Sequence, residues 1–295
     1  MHIKETLFDG IKSIEITTRK IRMVITTQCG PRIAFFGTVE GENLLYWDKN
    51  GLSYGKWKLY GGHRVWITRP GADESEDAYM EDNEVCHVKI RENGVRITSP
   101  AHYMMKIERG MDIEVVHEDE LQVTNFIKNA GCMLYSGGVW SPTCIDPKDG
   151  KIFGIPLGDD SLSWDIVKII IPRKFAGNIV SIDDPQITYN NQYMIVHPKG
   201  IVTKRAVYAP QGKIAMTWPK ENISFIKHSI CKRDGNYPLG GCNIAIFVGK
   251  NNFMVEMETF GEEQKILPGE TIKNIENWKL LNKTLQFEEH DELVD

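Results

Sequence analysis

Apolar residues recur at every second position through almost the whole chain, and this alternation limits the fold more than any other feature. Period two places successive side chains on opposite faces of an extended strand, so each such run reads as a half-buried β-strand. Ile14-Glu15-Ile16-Thr17 and Met23-Val24-Ile25-Thr26 alternate on either side of Arg19-Lys20. Val88-Lys89-Ile90-Arg91 and Val95-Arg96-Ile97-Thr98 flank Glu92-Asn93-Gly94, where Asn-Gly predicts a hairpin turn with positive φ. Ile113–Val116 and Leu121–Thr124 are joined by His117-Glu118-Asp119-Glu120. Tyr193–Val196 turns at Pro198-Lys199-Gly200 into Ile201-Val202-Thr203, and Ile244–Val248 turns through Gly249–Asn252 into Phe253–Glu258. Turn signals recur about every 8–15 residues, the spacing of sandwiches and barrels.

No helix of three turns is predicted. The densest apolar run, Ile166-Val167-Lys168-Ile169-Ile170-Ile171, is rich in β-branched residues that favour strands, and Pro172 halts it. The expected fold class is therefore all-β, a large antiparallel β-sandwich. A length of 295 residues suits one such sandwich. One domain is expected over 1–287, followed by an acidic, frayed tail over 288–295 that contains Glu288-Glu289-His290-Asp291-Glu292.

The charge balance excludes some partners. A net charge of −5 argues against nucleic acid, which asks for a basic face. No window approaches the roughly 20 apolar residues of a membrane span, and Met1–Thr6 lacks the pattern of a signal peptide. The expected location is the cytoplasm. The six cysteines are scattered without a C-x-x-C pair, so free, mostly buried thiols are expected, with no metal site and no cofactor. Exposed sheet edges would admit a homodimer.

Three segments break the alternation with polar, aromatic and glycine residues together. The first is Tyr60-Gly61-Gly62-His63-Arg64-Val65-Trp66. Two glycines allow a tight turn, His63 can act as an acid, and Arg64 offers a planar fork of donors for sugar hydroxyls. The plain alternative, which the residues alone favour, is a β-bulge with an ordinary hydrogen-bonded histidine. The second is Phe253–Phe260, where alternation puts Glu256 and Glu258 on one face. Turned inward, the two carboxylates would raise each other's pKa and one could serve as a base; the pattern leans slightly toward solvent. The third is the glycine-rich loop 231–242, in which Asp234 and Tyr237 would suit the rim of a binding site. Trp66, Trp140 and Trp164 stand near polar or turn residues, where they could stack on a sugar or belong to the core.

In order along the chain, these pieces resemble the galactose mutarotase-like superfamily, and within it the branch described by a domain of unknown function, DUF4380. The resemblance is carried by Gly30-Pro31-Arg32-Ile33, Asn43-Leu44-Leu45, Gly61–Trp66, Tyr79–Asn83, Thr124-Asn125 and Val139-Trp140-Ser141-Pro142. Near the end it continues through Glu256-Met257-Glu258, Leu267-Pro268-Gly269-Glu270 and Trp278-Lys279-Leu280. It implies a β supersandwich that binds a small-molecule carbohydrate on a concave sheet. It also implies aldose 1-epimerase-like chemistry, in which a glutamate takes the anomeric proton and a histidine protonates the ring oxygen. By position, Glu258 resembles the base, with Glu256 as competitor, and Arg64 the sugar-binding arginine. The epimerases' His-Gly-Gly motif does not follow Arg64, and Val139-Trp140-Ser141-Pro142 stands where their second histidine is expected. His63 or His102 could take the acid's place. The leading expectation is an isomerase acting at the anomeric centre of a sugar. A non-catalytic sugar-binding or sensing module is second, and a polysaccharide lyase-like enzyme third.

Overall fold

The computed structural model describes residues 1–54, 57–69, 82–158, 168–173, 181–288 and 293. Their strands form two large antiparallel sheets and one hairpin. The twelve-stranded sheet runs β1 (His2–Phe8), β2 (Ile11–Thr17), β3 (Ile21–Thr26), β4 (Arg32–Thr38), β7 (His63–Arg64), β13 (Tyr135–Ile145), β22 (Val255–Phe260), β21 (Ile244–Val248), β18 (Thr203–Val207), β15 (Ile170–Pro172), with β8 (Trp66–Thr68) and β23 (Gln264–Ile266) also on β13. The ten-stranded sheet runs β16 (Ile187–Tyr189), β17 (Tyr193–Val196), β14 (Ile152–Pro156), β19 (Lys213–Trp218), β20 (Ile223–Ser229), β24 (Thr271–Leu281), β12 (Glu120–Asn129), β11 (Ile107–His117), β10 (Gly94–Thr98), β9 (His87–Arg91). β5 (Trp47–Tyr54) and β6 (Trp57–Gly61) pair with each other.

Alternation decides which residues meet between the sheets. On β13, β21 and β22 the apolar side chains Val139, Ile145, Ile244, Ile246, Val248, Val255 and Met257 join the main core. Phe153, Met216, Phe225, Trp278 and Leu280 reach it from the opposite sheet. Burying this apolar surface is the main stabilising force of such a sandwich. A second apolar cluster, with Tyr193, Ala215, Ile226, Leu285 and Phe287, includes the buried Leu293; most of the acidic tail lies outside the described residues.

Most of the expected hairpins form, including β2–β3, β11–β12 and β21–β22. Two readings need correction. The β9–β10 turn is Glu92-Asn93, one residue early, and neither Asn93 nor Gly94 has a positive φ. Gly94 is there for room, since a Cβ on it would lie 2.0 Å from the carbonyl oxygen of Ile113 on β11. Pro198-Lys199-Gly200 closes no hairpin: β17 belongs to the ten-stranded sheet and β18 to the other, so the chain crosses the sandwich there. Among the described residues the longest α-helical segment is Pro238–Gly241, four residues, and no helix is long and apolar enough to cross a membrane. The six thiols are free, with Cys29, Cys86, Cys144 and Cys242 buried.

Candidate functional site

The face of the twelve-stranded sheet turned away from the core carries a cluster of charge and tryptophan. Gly61 and Gly62 create it by letting the chain turn from β6 into β7 with φ of 94° and 72°. A Cβ on either would lie 2.2 Å from a backbone oxygen, of Tyr46 and Ile33 respectively, so only glycine fits. β7 then pairs with both β4 and β13 and sends Arg64 to the outer face and His63 to the inner one.

On β22, Glu256 and Glu258 share the outer face, opposite Cys144 and Pro142 of β13 and Phe247 and Ala245 of β21. The leaning toward solvent is overturned: Glu256 is 9% exposed and Glu258 fully buried. Each carboxylate has its own cation, so mutual repulsion gives way to two ion pairs. Arg64 Nη2 lies 2.8 Å from Glu256 Oε1. Lys204 Nζ, from β18, lies 2.9 Å from both oxygens of Glu258. Trp140 Nε1 donates to Glu258 Oε2 at 2.8 Å. The Cys144 thiol sits 3.4 Å from Glu256 Oε1, and burial pushes its pKa up.

Aromatic rings wall this cluster. The Arg64 guanidinium stands 4.2 Å from the Trp66 ring centre, and Lys204 Nζ 5.0 Å from that of Trp140. Trp66 and Trp140 meet edge to face at 5.1 Å, and Trp140 stacks on Phe260. Trp66 Nε1 donates to Asp82 Oδ2, which also pairs with Arg32 at 2.8 Å. Charged groups with planar donors beside aromatic faces can hold hydroxyls and stack on the apolar face of a ring.

His63 does not join this cluster. It lies wholly buried between the sheets. Lys227 Nζ donates to Thr143 Oγ1 at 2.6 Å, and the same hydroxyl lies 2.8 Å from His63 Nδ1. Nε2 faces Asn125 Oδ1 at 2.9 Å, an oxygen that only accepts, so the neutral ring carries its proton on Nε2 and Nδ1 accepts from Thr143. Lys227 also pairs with Glu276 at 3.0 Å, and Glu276 accepts from Thr259 and Trp278. Burial pushes the Glu276 carboxyl up, but Lys227, His63 and those donors outweigh it and hold it below its ordinary value.

Burial lowers the His63 imidazole from 6.5 to about 4, against the pull of Glu276. The unfolded chain takes up this proton near its ordinary pKa and the folded one only near 4, so stability present above about 6.5 is lost as pH falls. Urea unfolding should show a loss that builds to roughly 3 kcal/mol by pH 4. Between pH 6.5 and 4.5 the slope should be much flatter in His63→Gln, with a residual part from His228, which burial also lowers. An identical slope in the variant would remove His63 as its source.

Of the other expected site residues, Trp140 is in the cluster and Tyr237 and Asp234 are not in contact with its charges. The Tyr237 hydroxyl accepts from Lys232 N at 2.8 Å within its own loop, Asp234 is exposed, and Leu239 of the same loop packs against the apolar cluster of Trp66, Trp140, Ala245 and Phe260. His102 is buried in the turn before β11, where its Nδ1 accepts from Met105 N. Trp164 and residues 79–81 lie outside the described residues. Sequence reasoning missed Lys204 and Cys144. Their only signal is parity, since Lys204 shares a face with Ala206 and Cys144 with Trp140. Among the described residues no three of His, Cys, Asp and Glu stand together as a metal site.

No family model matches the chain, and no curated protein sequence matches it. Solved structures do. A protein from Escherichia coli K12 put forward as an aldose 1-epimerase superposes with a TM-score of 0.64 at 12% identity, covering 96% of this chain and 100% of that one. A galactose mutarotase-like protein from Lactobacillus casei gives 0.63 at 12%, covering 91% and 100%. One from Clostridium acetobutylicum gives 0.61 at 11%, covering 96% and 99%. The all-β, two-sheet architecture is the galactose mutarotase-like fold.

Proposed function

We propose that this protein binds a small carbohydrate against the outer face of the twelve-stranded sheet and acts on its anomeric centre as an aldose 1-epimerase-like isomerase. One observation carries the reading. Arg64, Glu256, Glu258 and Lys204, drawn from three separate strands, converge on one face between Trp66 and Trp140. A sugar suits this surroundings, because its hydroxyls take charge-assisted hydrogen bonds while its ring face lies on an indole. Within the superfamily we assign the chain to the DUF4380 branch, on the order of its sequence pieces.

The test is polarimetry on freshly dissolved aldoses, free and phosphorylated, with binding followed by melting temperature. Catalysed mutarotation supports the isomerase. No acceleration with any sugar would end that reading. The placement of His63 between the sheets favours a second one, a non-catalytic sugar-binding module, which predicts ligand-induced stabilisation without turnover. Both readings expect Arg64 to anchor the ligand. Arg64→Lys keeps a cation beside Glu256 but loses the planar fork, so sugar affinity should fall by about tenfold or more while the fold persists. Unchanged affinity would make Arg64 a structural residue.

A further inference from the structure

An isomerase of the proposed kind needs two proton carriers near one carbon. The anomeric carbon bears both the hydroxyl that loses a proton and the ring oxygen that gains one, so base and acid must be neighbours. His63 cannot be that neighbour of Glu258 in this geometry. It points away from the site, with Nδ1 engaged by Thr143 and Nε2 by Asn125.

The group that stands beside Glu258 is an ammonium. Lys204 Nζ lies 2.9 Å from each Glu258 oxygen, although β18 and β22 are separated by β21. The residue of β21 opposite Glu258 is Ala245, whose small side chain leaves room for the lysine stem to cross. Trp140 fixes the carboxylate by donating to Oε2. Lys204 is 1% exposed, so its direction is set by protein and not by solvent.

Resting on the isomerase reading above, we infer that Lys204 is the acid of the reaction, paired with Glu258 as base. Glu258 takes the proton of the anomeric hydroxyl, and the O–H electron pair becomes the second bond of the new carbonyl. The bond from the anomeric carbon to the ring oxygen breaks with its pair onto that oxygen, which takes a proton from Lys204 Nζ. The products of this step are a neutral carboxyl, a neutral amine and an open-chain aldehyde. After rotation about the bond from the carbonyl carbon to the next carbon, the hydroxyl attacks the carbonyl, returns its proton to Lys204, and Glu258 reprotonates the new anomeric oxygen. The coupling is electrostatic. Once Glu258 is protonated, the charge that held the Lys204 proton is gone, so the ammonium becomes a better acid at the moment it is needed.

Lys204→Arg separates charge from proton donation, because a guanidinium keeps the ion pair with Glu258 but does not release a proton at working pH. With α-D-glucose and α-D-galactose as probes, this variant should melt cooperatively and bind sugar like the parent, yet lose mutarotation by about 100-fold or more. A second variant, Lys204→Ala, should regain turnover when methylamine is added, which a merely structural lysine would not permit. Lys204→Arg with more than about a tenth of the parent rate overturns the inference. If Lys204→Arg does not fold, amine rescue decides: restored turnover supports the lysine and no restoration overturns it. A parent protein that binds sugar without turnover overturns the isomerase reading and this inference together, whereas an active parent with an active Lys204→Arg variant overturns this inference alone.

Discussion

Lys227→Met is expected to lower folding stability by about 3–5 kcal/mol, the range for breaking a buried ion pair by removing one partner. Lys227 and Glu276 are both fully buried between the sheets, 3.0 Å apart. The lysine also donates to the Ser141 and Met257 carbonyls and to Thr143, so one ammonium from β20 holds β13 and β22 from behind. These are the strands that carry Trp140, Glu256 and Glu258 on their other face. The methionine fills the space of the stem but leaves the buried Glu276 carboxylate without its cation, held by Thr259 and Trp278. Burial lowers the Lys227 pKa against the pull of Glu276. The double variant Lys227→Met/Glu276→Leu removes both charges and should recover much of the loss, because the cost lies in the orphaned ion. Urea denaturation checks both. A loss under about 1 kcal/mol for the single variant would show that water reaches this network and screens it.

This network shows why some of the molecule could be read from sequence and some could not. Strands, most hairpins and the all-β class follow from parity, because a period of two leaves each strand only two ways to face. Parity also marks a buried acid. Along β24 the residues Ile272, Asn274, Glu276, Trp278 and Leu280 occupy the buried positions in strict alternation, so Glu276 sits on an apolar parity and had to be buried. The same logic places Glu256 and Glu258 with Phe260. Parity cannot say which face is the core when both faces are covered, and β22 is buried on both. Hence the carboxylates could be paired from sequence but not removed from solvent. The partner of Glu258 was beyond reach for another reason. Lys204 is 54 residues away and two strands over, and its chain enters that sheet through a crossover that resembled a hairpin turn. His63 shows the converse error. Adjacent residues on a strand face opposite sides, so once Arg64 was assigned to the ligand face His63 was committed to the core.

Glu258→Gln should reduce turnover by about 10³-fold, within the range for removing a positioned general base. The amide keeps the shape and an oxygen that can accept from Lys204 Nζ or Trp140 Nε1, but has no basic site for the anomeric proton. Sugar binding should persist, since Arg64 with Glu256 remains on the same face. Stability should fall, because Lys204 loses its counter-charge inside the protein; the melting temperature must therefore be recorded with each rate. Glu256→Gln is the comparison that gives the result its meaning. Glu256 pairs with Arg64 and is the more accessible carboxylate, so its loss should weaken affinity more than it slows the bound sugar. If Glu256→Gln stops turnover and Glu258→Gln does not, the base is one pleat repeat nearer the start of β22, and Lys204 is then beside the wrong carboxylate. If both variants leave turnover at the parent level, neither carboxylate is the base. If the parent binds sugar and neither it nor any variant turns it over, the face is a binding surface and the two ion pairs serve recognition alone.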